Sequence, residues 1–203
     1  MRKKSEERRQ AMIDIAAEVF NEIGFEGASM AVISARIGGS KATLYNYFSS
    51  KEEIFVEVML KQVGCQFENV FTALQDEDDL RAALLQLAIH YLSVVLKPDV
   101  VAVKRLAMYY AGKSELGPLL YERGPKRGWT RISEFLKFKM EQGELQSSDS
   151  WIAALQFRSL VEAEWVDVRM LNVVTTVSPA KIKISAARAV DSFIRMHEVR
   201  PSV

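Results

Sequence analysis

The sequence predicts an all-α protein of about nine helices, in which a three-helix N-terminal domain precedes a larger helical domain. Apolar residues recur at helical spacing along most of the chain, and no stretch shows the alternation of a half-buried strand. The five prolines and ten glycines fall mostly between these periodic segments. With 203 residues, 49% of them hydrophobic, the chain is long enough to bury a core.

Glycines and capping residues set the limits of the first three helices. The first helix is predicted from about Ser5 to Ile23, where Gly24 begins a break. The second follows Ser29 as its cap and runs through Arg36. After the turn at residues 38–39, Ser40 caps a third helix that runs through Tyr47.

The remaining six helices follow from the same signals. Ser50 and Glu53 have the spacing of a capping box, which predicts a long fourth helix to about Gln75. The fifth helix is predicted to begin after the acidic run 76–79, the sixth at Pro98, and the seventh at Ser114 with an interruption near Gly124. The eighth is predicted to begin at Ser148 or Asp149 and to reach Leu171. The ninth begins at Pro179, with Ser178 as its cap.

Charge and hydropathy restrict where the protein works. Lys and Arg number 27 against 26 Asp and Glu, a net charge of +1, so any contact with nucleic acid must come from a local surface. The charged start MRKKSEERRQ is followed by no apolar signal-peptide core. The longest apolar runs, such as residues 100–103, are far below the roughly 20 residues that span a bilayer. We therefore expect a cytoplasmic protein without membrane contact.

Catalytic, metal and cofactor sites are not predicted. Cys65 is the only cysteine, and only His90 and His197 accompany it as strong transition-metal ligands. We find no Ser-His-Asp set, and the segment GPKRGW has neither the spacing nor the preceding strand of a phosphate loop. The sequence thus argues against an enzyme, and predicts neither a metal nor a cofactor.

The third helix has the layout of a DNA recognition helix. Two short helices around Gly38 and Gly39 have the dimensions of a helix-turn-helix. At 100° per residue, Leu44 and Phe48 share an inner face, while a small residue, an amide and hydroxyl groups face outward, as reading a major groove requires. The predicted DNA-binding residues are Ser29, Met30, Ser40, Lys41, Ala42, Thr43, Tyr45, Asn46, Tyr47 and Lys51.

Two parts of this prediction have alternatives. Tyr45 and Tyr47 could simply pack between helices beside Phe48. The basic N-terminus could be a DNA-reaching arm or a solvated helix end, since acidic residues 6–7 interleave with its cations, which are Arg2, Lys3, Lys4, Arg8 and Arg9.

Residues 29–55, SMAVISARIGGSKATLYNYFSSKEEIF, resemble the DNA-binding signature of the TetR family of regulators. The matching positions are Ile33, Ser34, Gly38, Ser40, Ala42, Thr43, Leu44, Tyr45, Tyr47, Phe48 and Lys51. In that family the residues aligned with Thr43, Tyr45, Tyr47 and Lys51 commonly contact phosphates or bases. The departures are Gly39, where the family usually has Val or Met, Ser34 in place of Ala, and the bulkier Ile37.

The segment RLAMYYAGKSELGPLLYERGPKRGW resembles one type of C-terminal domain in the same family. That resemblance implies a helical ligand pocket and a dimeric four-helix bundle built from two late helices. The predicted eighth helix is apolar on most faces, and the ninth carries small alanines, although both could equally form a monomer core. We expect a DNA-binding domain at residues 1–50 and a ligand-binding and dimerisation domain at residues 51–203.

The resulting functional prediction is a ligand-responsive repressor that binds double-stranded operator DNA as a homodimer through its last two helices. The alternatives are an activator of the same family and a helical interaction module without DNA binding. The effector is expected to be a largely apolar small molecule. Candidate pocket residues, which an aromatic core would explain as well, are His90, Arg105, Met108, Tyr109, Trp129, Phe157, Arg158 and Trp165.

Overall fold

The structure is a computed structural model that describes residues 2–61 and 79–199, with side chains from Ser5 onward. Every regular element in these ranges is a helix, which confirms the all-α prediction. The helices are α1 (Arg2–Gly27), α2 (Met30–Ile37), α3 (Lys41–Tyr45), α4 (residues 51–61), α5 (Leu80–Val95), α6 (Pro98–Tyr109), α7 (Leu116–Arg123), α8 (Pro125–Glu141), α9 (Ser150–Glu162), α10 (Val166–Met170) and α11 (Pro179–Met196).

The predicted break at Gly24 and the caps at Ser29 and Ser40 are confirmed, but α1 extends beyond its predicted limits and α3 ends at Tyr45, two residues before the predicted Tyr47. Gly24 interrupts α1 with φ at 72°, a left-handed conformation that favours glycine. The hydroxyl oxygens of Ser29 and Ser40 each accept a hydrogen bond from the backbone N–H three residues on, at 3.2 Å. These caps satisfy N–H groups that would otherwise lack partners in the first turn.

Helix α4 begins where the capping box predicted, but the box closes differently. The N–H of Glu53 donates to Ser50 Oγ at 3.2 Å, whereas the Glu53 carboxylate accepts from the N–H and hydroxyl of Ser49, both at 2.7 Å. Residues 62–78 lie outside the described part of the chain. They include Cys65, the acidic residues 76–78 and the predicted extension of this helix to about Gln75.

Two predicted helices are divided in the structure. The seventh is split into α7 and α8 at Gly124, as the predicted interruption indicated. The eighth was predicted to be continuous, which is wrong: α9 ends at Glu162 and α10 begins at Val166. The chain turns at Trp165, whose indole N–H donates to Ser185 on α11 at 2.9 Å. The predicted eighth helix was also expected to be buried on most faces, but Leu171, just after α10, is 76% exposed.

The described residues divide into two compact units. The first contains residues 2–61 and Ala107–Arg123, where α2 packs against α1 and α3. The second contains residues 79–106 and 124–199, where α11 packs against α5 and α9, and α8 packs against α9. The predicted functional boundary at residue 50 stays a prediction, because compactness alone does not identify domains of function.

None of the described helices is by itself long and apolar enough to cross a bilayer. Helices α5 and α6 pass that test only when they are joined, and they are bent by 70° at the break between them.

Candidate DNA-binding surface and ligand-binding residues

Helix α3 is held by two residues and exposes most of the others. Leu44 and Phe48 are buried, at 2% and 1% exposure, as the helical wheel predicted. Tyr45 is 53% exposed, so it does not pack between helices. Lys41, Ala42 and Asn46 are also exposed, while Thr43 and Tyr47 are half-buried. The outer face therefore carries the small and hydrogen-bonding groups that readout of a groove needs.

The turn before α3 joins two of the residues that depart from the family pattern. Gly38 has φ at 74°, and its N–H donates to Ala35 O at 3.2 Å. Ser34 is buried, and its hydroxyl donates to the carbonyl of Gly39 at 3.2 Å. The hydrogen bond from Ser34 thus holds the turn at Gly39, where the family usually has the larger Val or Met.

An open groove lies where three helices begin; we call it the helix-start groove. It contains the first residues of α2, α3 and α4, and the start of a helix favours anions through its backbone N–H groups. Half of the ten predicted DNA-binding residues lie here. Its lining consists of Ala28, Ser29, Met30, Ala31, Lys41, Tyr45, Ser49, Ser50, Lys51 and Glu52.

Lys51 has partners that the sequence did not suggest. Its ammonium donates to the carbonyls of Phe25 and Ala28 at 2.9 and 3.0 Å, and it lies 4.4 Å from the centre of the Phe25 ring. These carbonyls lie at and just beyond the end of α1, where backbone acceptors lack helical partners. The predicted contact of Lys51 with DNA is untested, but this cation is already engaged within the protein.

Two other candidates for contact with DNA, Tyr47 and Arg9, lie close to other side chains of the protein. The Tyr47 hydroxyl lies 3.4 Å from Ser5 Oγ, so this tyrosine is only partly turned outward. Arg9, from the predicted basic arm, forms a salt bridge with Glu57 at 2.7 Å and lies 5.1 Å from the centre of the Phe48 ring. Arg8 is exposed, and the side chains of residues 2–4 lie outside the described part.

An ion-pair network that the sequence did not reveal ties α7 to α4. Arg123 donates to Glu53 at 2.6 Å and to Glu57 at 2.7 Å. Partial burial raises the pKa of Glu53, but the hydrogen bonds from Ser49 and Arg123 outweigh it and hold that pKa below its usual value. The network joins residues that are about 70 positions apart, so no local pattern in the sequence could indicate it.

The eight candidate pocket residues do not form one cluster. Met108 and Tyr109 belong to the first unit and are 66% and 62% exposed, whereas the other six belong to the second unit. Trp129 and Phe157 are buried core residues at 3% and 0% exposure. The alternative that the aromatic candidates belong to a core therefore describes Trp129 and Phe157 well.

The remaining candidates are polar or half-buried. Arg105 donates to the backbone carbonyls of Arg169 and Met170, both at 2.9 Å. Trp165 donates to Ser185, and His90 is half-buried on α5. Arg158 forms a salt bridge with Glu162 one helical turn further along α9, at 3.2 Å.

Around Arg158 the structure brings together residues that the sequence did not single out as a site. The hydroxyl of Tyr91 donates to Glu162, and burial, with the nearby carboxylate, raises the pKa of this tyrosine. Lys104 on α6 is close enough for Glu162 and Arg158 to act on its charge, and burial lowers the pKa of its ammonium. Only the i,i+4 spacing of Arg158 and Glu162 was visible in the sequence.

Two family models match the chain. Residues 12–58 match the family of bacterial regulatory proteins named tetR, and residues 82–199 match the C-terminal domain of AefR-like transcriptional repressors. The second match alone covers more than half of the 203 residues.

Individual relatives agree with these matches. The chain is 38% identical over 79 residues to the transcriptional activator FasR of Mycolicibacterium smegmatis, and 30% identical over 92 residues to a transcriptional regulator of Staphylococcus aureus. These alignments span 39% and 45% of the chain, and 36% and 49% of the relatives, so the chain matches half or less of their lengths.

Solved structures extend the similarity over nearly the whole chain. A TetR-family regulator from Mesorhizobium loti is 26% identical with a TM-score of 0.78, covering 96% of this chain and 98% of that one. The flavonoid-responsive regulator FrrA is 28% identical with a TM-score of 0.74, covering 97% and 100%. The chain belongs to the TetR family of helix-turn-helix transcriptional regulators, and its C-terminal domain is of the AefR-like type.

Proposed function

We propose that the protein is a repressor that binds a palindromic operator as a homodimer and is released by a small-molecule effector. The observation that carries the DNA-binding part is the outer face of α3. It offers Lys41, Ala42, Tyr45 and Asn46 to solvent, while two buried apolar residues anchor the opposite side. One such short helix contacts only a few base pairs, so a second copy is needed to specify a site.

Repression is supported by the description of the C-terminal family, whose members are named as AefR-like repressors. Activation is the second candidate, because FasR, a relative of 38% identity over 79 residues, is named as an activator. Both alternatives use the same recognition helix, and they differ in where the operator lies relative to the promoter.

Dimerisation through α9 and α11 is supported by apolar side chains that these helices expose. Ile152 on α9 is 48% exposed and Ile184 on α11 is 55% exposed. A partner subunit would remove both from water. A two-fold dimer then predicts half-sites about 34–36 Å apart, one helical turn of DNA.

The effector is proposed to bind the second compact unit, within the predicted ligand-binding domain at residues 51–203. The relative FrrA is described as flavonoid-responsive, which supports a small, largely apolar effector for this fold. Such an effector must bind the DNA-incompetent state more tightly, and coupling of about 1–3 kcal/mol would weaken operator affinity about 5- to 150-fold.

The test of DNA binding compares two exposed tyrosines. Tyr45→Ala on the outer face of α3 should weaken binding to a palindromic duplex, whereas Tyr121→Ala on α7, where the tyrosine is 43% exposed, should not. Gel shifts at moderate salt with a scrambled duplex measure specificity, and footprinting measures the half-site spacing. A monomer protecting one asymmetric half-site would contradict the proposal.

A further inference from the structure

Two carboxylates one helical turn apart on α4, Glu53 and Glu57, share a single guanidinium. Arg123, the last residue of α7, donates one N–H to Glu53 at 2.6 Å and another to Glu57 at 2.7 Å. All three residues are half-buried and lie in the first compact unit. Because of that burial, salt screens these pairs less than ion pairs on an open surface. We call the three residues the Arg123 network.

The Arg123 network reaches the end of the recognition helix by two routes. The second carboxylate oxygen of Glu53 accepts hydrogen bonds from the N–H and the hydroxyl of Ser49, both at 2.7 Å. Ser49 directly follows Phe48, one of the two buried residues that anchor α3. The second oxygen of Glu57 pairs with Arg9 at 2.7 Å, and the Arg9 guanidinium lies 5.1 Å from the centre of the Phe48 ring. Both routes therefore lead to the residue that anchors α3.

The charges along these two routes balance only when Arg123 is present. Glu53 and Glu57 carry two negative charges, and Arg9 and Arg123 carry two positive charges. Without Arg123, two half-buried carboxylates four residues apart would share one cation, and like charges at that spacing repel each other. Glu53 would then gain by turning toward water, and the hydrogen bonds that it accepts from Ser49 would be weakened.

We propose that Arg123 is a positioning residue for DNA recognition, which acts through Glu53 and Glu57 to fix the orientation of α3. This inference rests on the proposed operator binding, and it adds a residue 70 positions beyond Glu53, outside the helix-turn-helix. Arg123 is not among the residues that line the helix-start groove, so its effect is expected to come through its two carboxylates. Hydrogen bonds to base edges depend on direction, whereas attraction to phosphates does not, so a loosened α3 should lose specificity first.

The experiment measures specificity in the full chain with two DNA probes. One probe is a palindromic duplex selected from a random library with the wild-type protein, and the other is a scrambled duplex of the same composition. Arg123→Met removes the guanidinium and keeps most of the aliphatic stem. The ratio of palindrome affinity to scrambled affinity should fall at least about fivefold, which corresponds to the loss of one good base contact. Affinity for the scrambled duplex should hardly change, because no phosphate contact is removed.

Lys61→Met is the matched control. Lys61 on α4 pairs with Asp14 on α1 at 2.5 Å, so this variant also removes a salt bridge between helices of the first unit. Neither residue contacts the Arg123 network in the described part of the chain, and the variant should keep the wild-type ratio.

Urea unfolding separates positioning from stability, because affinities are compared only under conditions where each variant is folded. If Arg123→Met is less stable but the folded variant keeps the wild-type ratio, Arg123 is only structural and the proposal is overturned. Arg123→Lys is measured as well, since it keeps the charge even if Arg123→Met does not fold. An ammonium lacks the planar fork that spans two carboxylates, so the ratio for Arg123→Lys should lie below that of the wild type.

A double-mutant cycle tests the route. In protein that already carries Glu53→Gln and Glu57→Gln, adding Arg123→Met should cause no further fall in the ratio. A further fall of the same size as in the wild-type background would mean that Arg123 acts elsewhere, and it would overturn the proposal.

Amide exchange in DNA-free protein distinguishes failure of this inference from failure of the proposed function. Arg123→Met should speed exchange of the Ser49 N–H, measured by NMR, but not that of the Val32 N–H, which donates to Ser29 outside the Arg123 network. If the wild type does not prefer any palindrome, the proposed function fails, whereas Ser49 exchange still decides whether Arg123 holds this end of α3. If the wild type prefers its palindrome and Arg123→Met changes neither exchange nor the ratio, only this inference fails.

Discussion

Lys51 and Lys41 both line the helix-start groove, but they have different partners. The Lys51 ammonium donates to two backbone carbonyls at 2.9 and 3.0 Å, whereas Lys41 is exposed on α3. We predict that Lys51→Gln lowers the stability of the protein and hardly changes the salt dependence of operator binding. Lys41→Gln should do the opposite.

The expected magnitudes follow from these contacts. A hydrogen bond to a charged group contributes about 1.5–3 kcal/mol, and water can replace part of it at a helix end, so Lys51→Gln should cost about 1–3 kcal/mol of unfolding free energy. A cation that neutralises one phosphate adds about 0.9 to the slope of log affinity against log salt. Lys41→Gln should therefore reduce that slope by about 0.9 for each subunit on the DNA.

The measurement combines urea unfolding with operator titrations at several salt concentrations. Arg36→Gln serves as a control, since Arg36 pairs with Glu22 on the surface and lies outside the groove lining. If Lys51→Gln reduces the salt slope as much as Lys41→Gln and leaves stability unchanged, then Lys51 contacts a phosphate and the tether interpretation is wrong.

Three further predictions concern the turn, the recognition helix and the C-terminus. Ser34→Ala should destabilise the protein by about 0.5–1.5 kcal/mol through loss of the bond to the Gly39 carbonyl. Gly39→Val should reduce that cost in a double-mutant cycle by urea unfolding, because a Cβ at Gly39 would meet only Ile37 Cγ2, at an ordinary 3.8 Å; fully additive effects would refute the compensation. Phe48→Ala should cost about 3–5 kcal/mol in the same assay, whereas Tyr47→Ala should mainly weaken operator binding, and the reverse pattern would mean that the two faces were misassigned. Burial lowers the pKa of His197 below its ordinary 6.5, so the unfolded state takes up a proton first and stability should fall as pH drops below about 6.5. His197→Gln should flatten this dependence in thermal melts, and an unchanged pH profile would assign it to other groups.

The sequence predicted best what depends on local spacing. Leu44 and Phe48 lie four residues apart, so the helical repeat puts them on one face, and both are buried. The caps at Ser29 and Ser40 are equally local, because a serine hydroxyl bonds to a backbone N–H only three residues away. These features define the candidate DNA-binding surface, which is why the local structure of that surface was predictable from the sequence.

Features set by distant contacts were not predictable in this way. The segment between α9 and α10 contains no proline or glycine, so the break at residues 163–165 left no mark in the sequence. The bond of Trp165 to Ser185 on α11 accounts for the turn there. Lys104 and Glu162 lie on different helices, and a pairing of charges across such a separation has no periodic signal.

Some cations that were predicted to bind DNA or effector have acceptors within the protein, for a reason that is general to helical proteins. Each helix ends with about four carbonyls that lack helical partners, and a nearby ammonium or guanidinium can donate hydrogen bonds to them. Here Lys51 donates to a carbonyl at the end of α1, Arg105 donates to one at the end of α10, and Arg169 donates to one at the end of α5. Of these, Lys51 was predicted to bind DNA and Arg105 the effector, and both contacts stay predictions. A lysine or arginine in such a fold should be assigned to a ligand only after the nearest helix ends have been considered.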